Sequence, residues 1–147
     1  HVANATSMAP VWTALVGASC AACNAASTAF DGSSVEGVAT PLATMFSLDR
    51  STGATQWLTP VAEGPHYQSV SNADGVVWTV DSTANLDGFD AATGQPLVHR
   101  PLSVDAGAPV TNDTSAGVAI AEHQLFVAAG GVSYVTAPGY VIAYGTG

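Results

Sequence analysis

Hydrophobic residues in this chain occur in short runs of strand length, separated by Gly, Pro, Asn and Asp. Period-two alternation and short apolar runs predict two sets of four strands, at residues 25–30, 34–39, 45–49 and 55–60 and at residues 66–71, 76–81, 86–90 and 96–101. Asp31-Gly32 and Asp74-Gly75 each connect two such runs, and Asp-Gly between apolar runs is a strong hairpin signal. No long amphipathic helical stretch is visible, so the pattern predicts an all-β chain.

A third set of strands is incomplete. Its runs lie at residues 116–121, 125–129 and 139–144, with a turn at 122–124 and a longer loop at 130–138. The apolar pattern at residues 8–17, before the first set of strands, indicates the last strand of a preceding unit. The sequence therefore predicts a single domain with a unit-end strand at 8–17, complete units at 24–60 and 66–101, and an incomplete unit at 107–147.

One motif occurs twice at a fixed offset. Ser47-Leu48-Asp49-Arg50-Ser51-Thr52-Gly53 returns as Gly88-Phe89-Asp90-Ala91-Ala92-Thr93-Gly94, and the offset from 49 to 90 is 41 residues. Within each copy, Asp-x-x-Thr-Gly predicts a tight turn in which the Asp carboxylate accepts backbone N–H bonds and Gly adopts positive φ. A period of ~40 residues is typical of β-propeller blades.

The motif resembles the pyrroloquinoline quinone (PQQ) type repeat, Ala-x-Asp-x-x-Thr-Gly-x-x-x-Trp, over residues 10–147. The first copy departs only at Ser47, and it carries Trp57 at the last position. The second copy has Gly88 for Ala and Val98 for Trp. A truncated third copy, which lacks the Asp, follows at residues 143–145. The resemblance implies four-stranded antiparallel blades, with Trp57 docked against the turn of a neighbouring blade.

About three blades' worth of chain is too little for a closed ring, because propellers usually have ~4–8 blades. A stack of three blades would leave one apolar blade face uncovered. The sequence therefore predicts part of a larger propeller. The remaining blades are expected from a longer parent chain, or from an associated chain or self-association.

The charge balance excludes some partners. The 147 residues include no Lys, two Arg and eleven acidic residues, which gives a net charge of −9. Such a surface repels nucleic acid and anionic membranes. No apolar run is long enough to span a bilayer, so we expect no membrane insertion.

The cysteine pair Cys20 and Cys23 leaves two interpretations open. A haem site would need His where Asn24 stands, and a zinc site would need a second pair. A local disulfide or two free structural thiols remain, and the disulfide would place the protein in an extracellular, periplasmic or cell-surface setting. Asn4 and Asn112 match the N-glycosylation acceptor pattern.

Few residues are candidates for chemistry. His66 and Gln68 open the first strand of a unit, where they could offer hydrogen bonds to a quinone cofactor, or where His66 could be a partly exposed residue at a strand end. Polar residues alternate as in a calcium loop at Asp81, Thr83, Asn85 and Asp87, but Leu86 replaces the required Gly, so a hairpin turn at 82–85 is the preferred interpretation. His99 and His123 lack ligand spacing. No catalytic or metal-binding residue is assigned.

Two classes of function follow. The first is a secreted or cell-surface propeller module with a binding or structural role. The second, implied by the resemblance, is part of a PQQ-dependent alcohol dehydrogenase, which would use a quinone, a carboxylate base and often calcium.

Overall fold

The architecture is that of consecutive antiparallel blades, as the repeat predicts. The computed structural model describes residues 10–16, 26–39, 44–61, 66–110, 117–130 and 138–145. Blade A consists of β1 (Ala29–Phe30), β2 (Ser34–Ala39), β3 (Thr44–Asp49) and β4 (Thr55–Pro60). Blade B consists of β5 (Ser71–Ala73), β6 (Val76–Val80), β7 (Asn85–Asp90) and β8 (Pro96–Pro101). Blade C consists of β9 (Val118–Ala121), β10 (Gln124–Gly130) and β11 (Gly139–Gly145).

Within each blade the strands follow one another as an antiparallel meander. In blades A and B the third and fourth strands carry the same irregularity, a register shift between Ser47 and Leu48 and between Gly88 and Phe89. The fold class predicted from the sequence, a partial β-propeller, is therefore confirmed. Among the described residues, no helix is long and apolar enough to cross a membrane.

Strand positions differ from the prediction mainly at the start of blade B. The expected strand at 66–71 is wrong, since the strand there is β5, and residues 66–70 approach it without sheet pairing of their own. The buried residues among them are held by contacts outside the sheet, such as the Val70 N–H that donates to the carbonyl of Ser27, in the segment before β1, at 3.2 Å. The strand was predicted because apolar positions indicate buried residues. Here the buried residues lie on irregular backbone and not on a strand.

Two other segments also depart from the predicted elements. Of the strand expected at 8–17, the described residues 10–16 form no strand, although Trp12, Ala14 and Val16 alternate toward blade A. A short helix, α1 (Leu102–Ala106), follows β8 and ends at Gly107, whose φ is 63°. Five residues are too few to produce a recognisable helical period.

The core lies between blades. One apolar cluster at the junction of A and B contains Val38, Met45, Trp57, Val70, Val77 and Phe89. Another at the junction of B and C contains Val80, Ala84, Leu86, Leu102, Val118, Leu125, Val127 and Ala129. Because alternate side chains point to opposite faces of a strand, each blade contributes to the cluster on either side of it.

Candidate functional site at the junction of blades A and B

The repeated Asp organises the turn between the third and fourth strands. Asp49 Oδ1 accepts bonds from the Ser51 N–H, the Thr52 N–H and the Thr52 hydroxyl, each at 2.9 Å. Asp90 does the same with Ala92 and Thr93 at 2.7 to 3.1 Å. These bonds stabilise the charged carboxylate, so they lower the pKa of Asp49 and Asp90.

The glycine of each turn receives a tryptophan from the preceding segment. Trp57 packs on Gly94 and its Nε1 donates to the Ala91 carbonyl at 2.8 Å. Trp12 packs on Gly53 and donates to the Arg50 carbonyl at 2.7 Å. Gly94 and Gly53 have φ of 72° and 70°, and a Cβ at either position would lie under 3.0 Å from the indole. Glycine is therefore needed both for the backbone conformation and for the space that the ring occupies.

Trp57 is the last of three paired residues that form a row across β2, β3 and β4 of blade A. Ser47 pairs with Trp57 on one side and with Glu36 on the other. The Ser47 hydroxyl donates to Gln56 Oε1 at 2.7 Å. Glu36 and Ser47 are both 0% exposed, so this row carries a buried carboxyl group two strands away from the docked indole.

Glu36 is the unusual member of the row. Neither of its carboxylate oxygens has a hydrogen-bond partner of good geometry, and the nearby Asn72 of blade B, whose Nδ2 also lacks one, offsets the effect of burial only in part. Burial therefore raises the pKa of Glu36, and the charge of Asp31 raises it further. The sequence contained a signal for this residue, because Glu36 interrupts an otherwise small and apolar strand at a position that period-two alternation turns inward.

A second polar group lies on the blade B side of the junction. Asp87 pairs across the strands with Thr79 and His99, and its Oδ1 lies 2.7 Å from His99 Nδ1. Its Oδ2 lies 3.4 Å from His66 Nε2. The side chain of His99 is half exposed while that of His66 is 0% exposed, so the Asp87 carboxylate connects a solvent-facing imidazole to a buried one.

The expectation of a partly exposed His66 is therefore wrong, since the whole residue is 0% exposed against Asp87 of blade B. Gln68 is 0% exposed as well, and its Oε1 accepts the Tyr67 N–H at 3.0 Å. The sequence singled out His66 and Gln68 but not their connection to Asp87 and His99, because that connection depends on the pairing of β7 with β8. Chemically, the cluster joins a buried and a half-exposed imidazole through one carboxylate that lies within hydrogen-bond distance of both.

The calcium-like alternation is a hairpin turn. Asp81 Oδ1 accepts the N–H of Thr83 and of Asn85 at 2.9 and 2.8 Å, and Oδ2 accepts the Asn85 amide at 2.9 Å. Both carboxylate oxygens of Asp81 are therefore committed to the turn. Across the described ranges, no three His, Cys, Asp or Glu side chains are arranged to hold a metal ion. The donor set thus does not fit a calcium site at these residues.

Several predicted sites lie outside the described residues. These are the cysteine pair Cys20 and Cys23 and the glycosylation acceptors Asn4 and Asn112. His123 is described, on the turn between β9 and β10 in blade C, apart from the histidines of blade B.

Comparison with known proteins supports the fold. No protein-family model matches the chain, and no curated protein resembles it in sequence. Among solved structures, BamB from Moraxella catarrhalis is similar with a TM-score of 0.57 and 15% identity over 72% of this chain and 31% of BamB. A europium-containing methanol dehydrogenase is similar with a TM-score of 0.65 and 14% identity over 85% of this chain and 23% of the enzyme. The chain thus has a PQQ-like β-propeller fold and spans less than a third of the length of either structure.

Proposed function

We propose that this chain is a β-propeller module with a binding or structural role in a secreted or cell-surface protein. Further blades complete it, supplied by a longer parent chain or, failing that, by an associated chain or self-association. The observation that carries the proposal is the face of blade C that points away from blade B, which we call the far face.

The far face has the composition of a surface that another blade covers. Alternate residues from Leu125 to Ala129 turn toward blade B and are buried. The residues between them, Phe126 and Ala128, point the other way, and Ala128 pairs with Val141, which is 74% exposed. In blades A and B, the equivalent face is covered by the next blade. An apolar sheet face of this kind marks an interaction surface.

The proposed placement outside the cytoplasm rests on composition. A lysine-free chain of net charge −9 with one closely spaced cysteine pair is suited to an oxidising compartment. The proposed binding or structural role agrees with the use of the repeated turns. Each of the two Asp-x-x-Thr-Gly turns receives a tryptophan from the preceding segment and so serves to pack the blades together.

Light scattering on the isolated 147-residue chain tests the proposal. We expect a defined oligomer or aggregation, driven by the far face. Val141→Glu should reduce this self-association, because it places a charge in the centre of that face. Val104→Glu is the matched control, since Val104 is 71% exposed on α1 and lies away from the face. A stable, well-folded monomer of the parent chain would show that no further blade is required.

The alternative function as part of a PQQ-dependent alcohol dehydrogenase stays a prediction from the repeat resemblance. His66 and Gln68 would be its cofactor-binding residues, and both are buried against blade B. The intact mass of the native protein and the absorption spectrum of any released quinone test this alternative.

A further inference from the structure

The chain contains three Asp-Gly pairs, at residues 31–32, 74–75 and 87–88, and no Asn-Gly pair. In an Asp-Gly pair the backbone nitrogen of the glycine can attack the side-chain carboxyl group of the aspartate, because glycine has no side chain to hinder the approach. The three pairs consist of the same two residues, so differences in their reactivity must come from the fold.

The Asp87-Gly88 pair is protected by burial. Asp87 is 3% exposed, and its Oδ1 and Oδ2 lie 2.7 Å from His99 Nδ1 and 3.4 Å from His66 Nε2. Gly88 lies within β7, where its backbone pairs with both neighbouring strands. The two histidines and the sheet thus hold both reacting groups in place.

The Asp31-Gly32 pair is protected by its own turn. Asp31 Oδ1 accepts the N–H groups of Ser33 and Ser34, each at 2.7 Å, and the Ser33 hydroxyl at 3.0 Å. These bonds stabilise the charged carboxylate and lower the pKa of Asp31. A carboxylate resists attack, because the reaction would have to expel a negatively charged oxygen. Ring closure at Asp31 therefore requires the loss of three hydrogen bonds and the uptake of a proton that they oppose.

The Asp74-Gly75 pair has neither protection. Both residues are exposed, and they form the two-residue turn between Ala73 and Val76, with φ of 52° at Asp74 and 77° at Gly75. Within the described part of the chain, no residue donates a hydrogen bond to the Asp74 carboxylate. A positive φ is unfavourable for a residue with a Cβ, so the backbone is strained at the residue that would react.

The exposure of such a turn is compatible with a complete neighbouring blade. Asp31 occupies the equivalent turn of blade A, beside a blade B that has all four strands, and Asp31 is exposed there as well. A neighbouring blade therefore leaves the tip of the turn between the first and second strands in solvent.

We propose that Asp74-Gly75 is a site of spontaneous conversion to isoaspartate. The Gly75 nitrogen forms a bond with Cγ of the protonated Asp74 side chain and loses its proton, while Cγ loses its hydroxyl group. One water molecule leaves, and a five-membered succinimide ring forms. Solvent water then opens the ring at the main-chain carbonyl of Asp74. The chain afterwards runs through Cβ and Cγ, with one more backbone atom and no change in overall composition.

The extra backbone atom changes the contacts of the turn. The Gly75 carbonyl accepts the Ala91 N–H at 2.8 Å, which joins this turn to the turn between β7 and β8. Lengthening the two-residue turn moves that carbonyl, so the modified chain should lose this bond. Isomerisation at Asp74 therefore weakens the contact between the two turns of blade B.

The test is incubation of the full folded chain at mildly acidic pH, followed by proteolysis and electron-transfer fragmentation mass spectrometry, which distinguishes isoaspartate from aspartate. Isoaspartate should accumulate at residue 74 roughly tenfold faster than at residue 31, whose carboxylate must first give up its hydrogen bonds. In guanidinium chloride the rates at residues 31, 74 and 87 should be similar, because the selection comes from the fold. If the folded chain forms isoaspartate at residue 31 or 87 as fast as at residue 74, or at none of the three, the proposal is wrong.

Asp74→Asn tests the geometry of the turn separately from the acidity of the carboxyl group. An amide loses ammonia in the same ring closure, and Asn-Gly suits a two-residue hairpin turn. The folded variant should therefore deamidate at this position faster than the parent isomerises. Asp31→Asn is the matched control and should deamidate more slowly, since its side-chain carbonyl can still accept the N–H groups of Ser33 and Ser34. If Asp74→Asn keeps its amide while it is folded, the turn forbids ring closure and the proposal is wrong.

Hydrogen exchange of the separated isoaspartate form tests the consequence of the reaction. The Ala91 amide should exchange faster in this form than in the parent chain. Unchanged exchange of Ala91 would show that the bond to Gly75 survives and that the turn is not altered in the way proposed.

Discussion

The junction of blades A and B and the junction of blades B and C share one strand register and differ in what fills it. At the first junction, Trp57 occupies the outer strand of the row and Glu36 the second strand. At the other, Val98 is on the outer strand and Trp78 is on the second. The first junction is closed by an indole docked on Gly94, with the buried Glu36 two strands away in the same row, whereas the second has an apolar groove of about 330 Å³ beside Val98 and Trp78.

This difference shows that the backbone of a blade does not itself close a junction. The strand pairing is the same in both rows, so the side chains that the rows carry affect how the space between the blades is filled. The inner tryptophan does not substitute for the outer one, because the Trp78 ring covers Gly88 of its own blade. Four substitutions, taken from the largest expected effect to the smallest, test this interpretation.

Trp57→Ala should lower the free energy of unfolding by about 3–5 kcal/mol, because it removes a large buried ring. Trp78→Ala, at the open junction, should cost less, since the Trp78 side chain is only half-buried. Urea denaturation followed by circular dichroism measures both. Equal losses for the two variants would contradict the distinction between a closed and an open junction.

Gly94→Ala should cost about 2–4 kcal/mol, because it combines positive φ with overpacking. Its Cβ would lie 2.5 Å from the Trp57 ring. Gly75→Ala is the matched control, since Gly75 has φ of 77° and nothing within 4 Å of an added Cβ. The control should cost only about 1–2 kcal/mol, and the difference between the two denaturation free energies measures the docking contact. If the two losses are the same, the indole does not restrict Gly94.

Val98→Trp should fill part of the groove and raise the free energy of unfolding by about 0.5–2 kcal/mol, as cavity-filling substitutions do. Leu97→Trp adds the same side chain to the outside of the strand and should leave stability nearly unchanged. Thermal and urea unfolding of both variants decide the matter. A loss of stability for Val98→Trp would mean that the groove is not shaped for an indole.

Glu36→Gln should remove a pH dependence. Because burial raises the pKa of Glu36, the folded chain holds this proton more tightly than the unfolded chain. The resulting stability is fully present below the ordinary pKa of 4.5 and is lost as the pH rises through the raised value. The variant should be more stable than the parent by about 1 kcal/mol at pH 8, with a smaller difference at pH 5.

The control for this pH effect is Glu122→Gln, since Glu122 is exposed on a turn. Urea denaturation at the two pH values compares all three proteins. If the free energy of unfolding of Glu36→Gln equals that of the parent at both pH values, the carboxyl group is not buried in its charged form at pH 8.

The motif positions were the most predictable part of the chain. Asp49 and Asp90 with their Thr and Gly partners are local, since every bond of the carboxylate closes within three residues. The strand limits of β2, β4 and β8 were predictable for a similar reason, because turn residues and alternating apolar positions define them. The burial of His66 was not, because it depends on Asp87, which is 21 residues away in the chain.

The sequence by itself determined the blades, their period and the glycine at each described turn, because hairpins and Asp-x-x-Thr-Gly turns are stabilised by contacts between near neighbours. The repeat also showed that Val98 replaces the docking tryptophan of the first copy, whereas only the tertiary structure decided which side chains of different repeats meet at each junction. The buried state of Glu36 and the groove beside Val98 depend on one blade packing against another, and the contact of Asp87 with His66 joins β7 to a segment 21 residues earlier in the chain. Such packing brings together residues from separate repeats, and no local pattern specifies which side chains meet there.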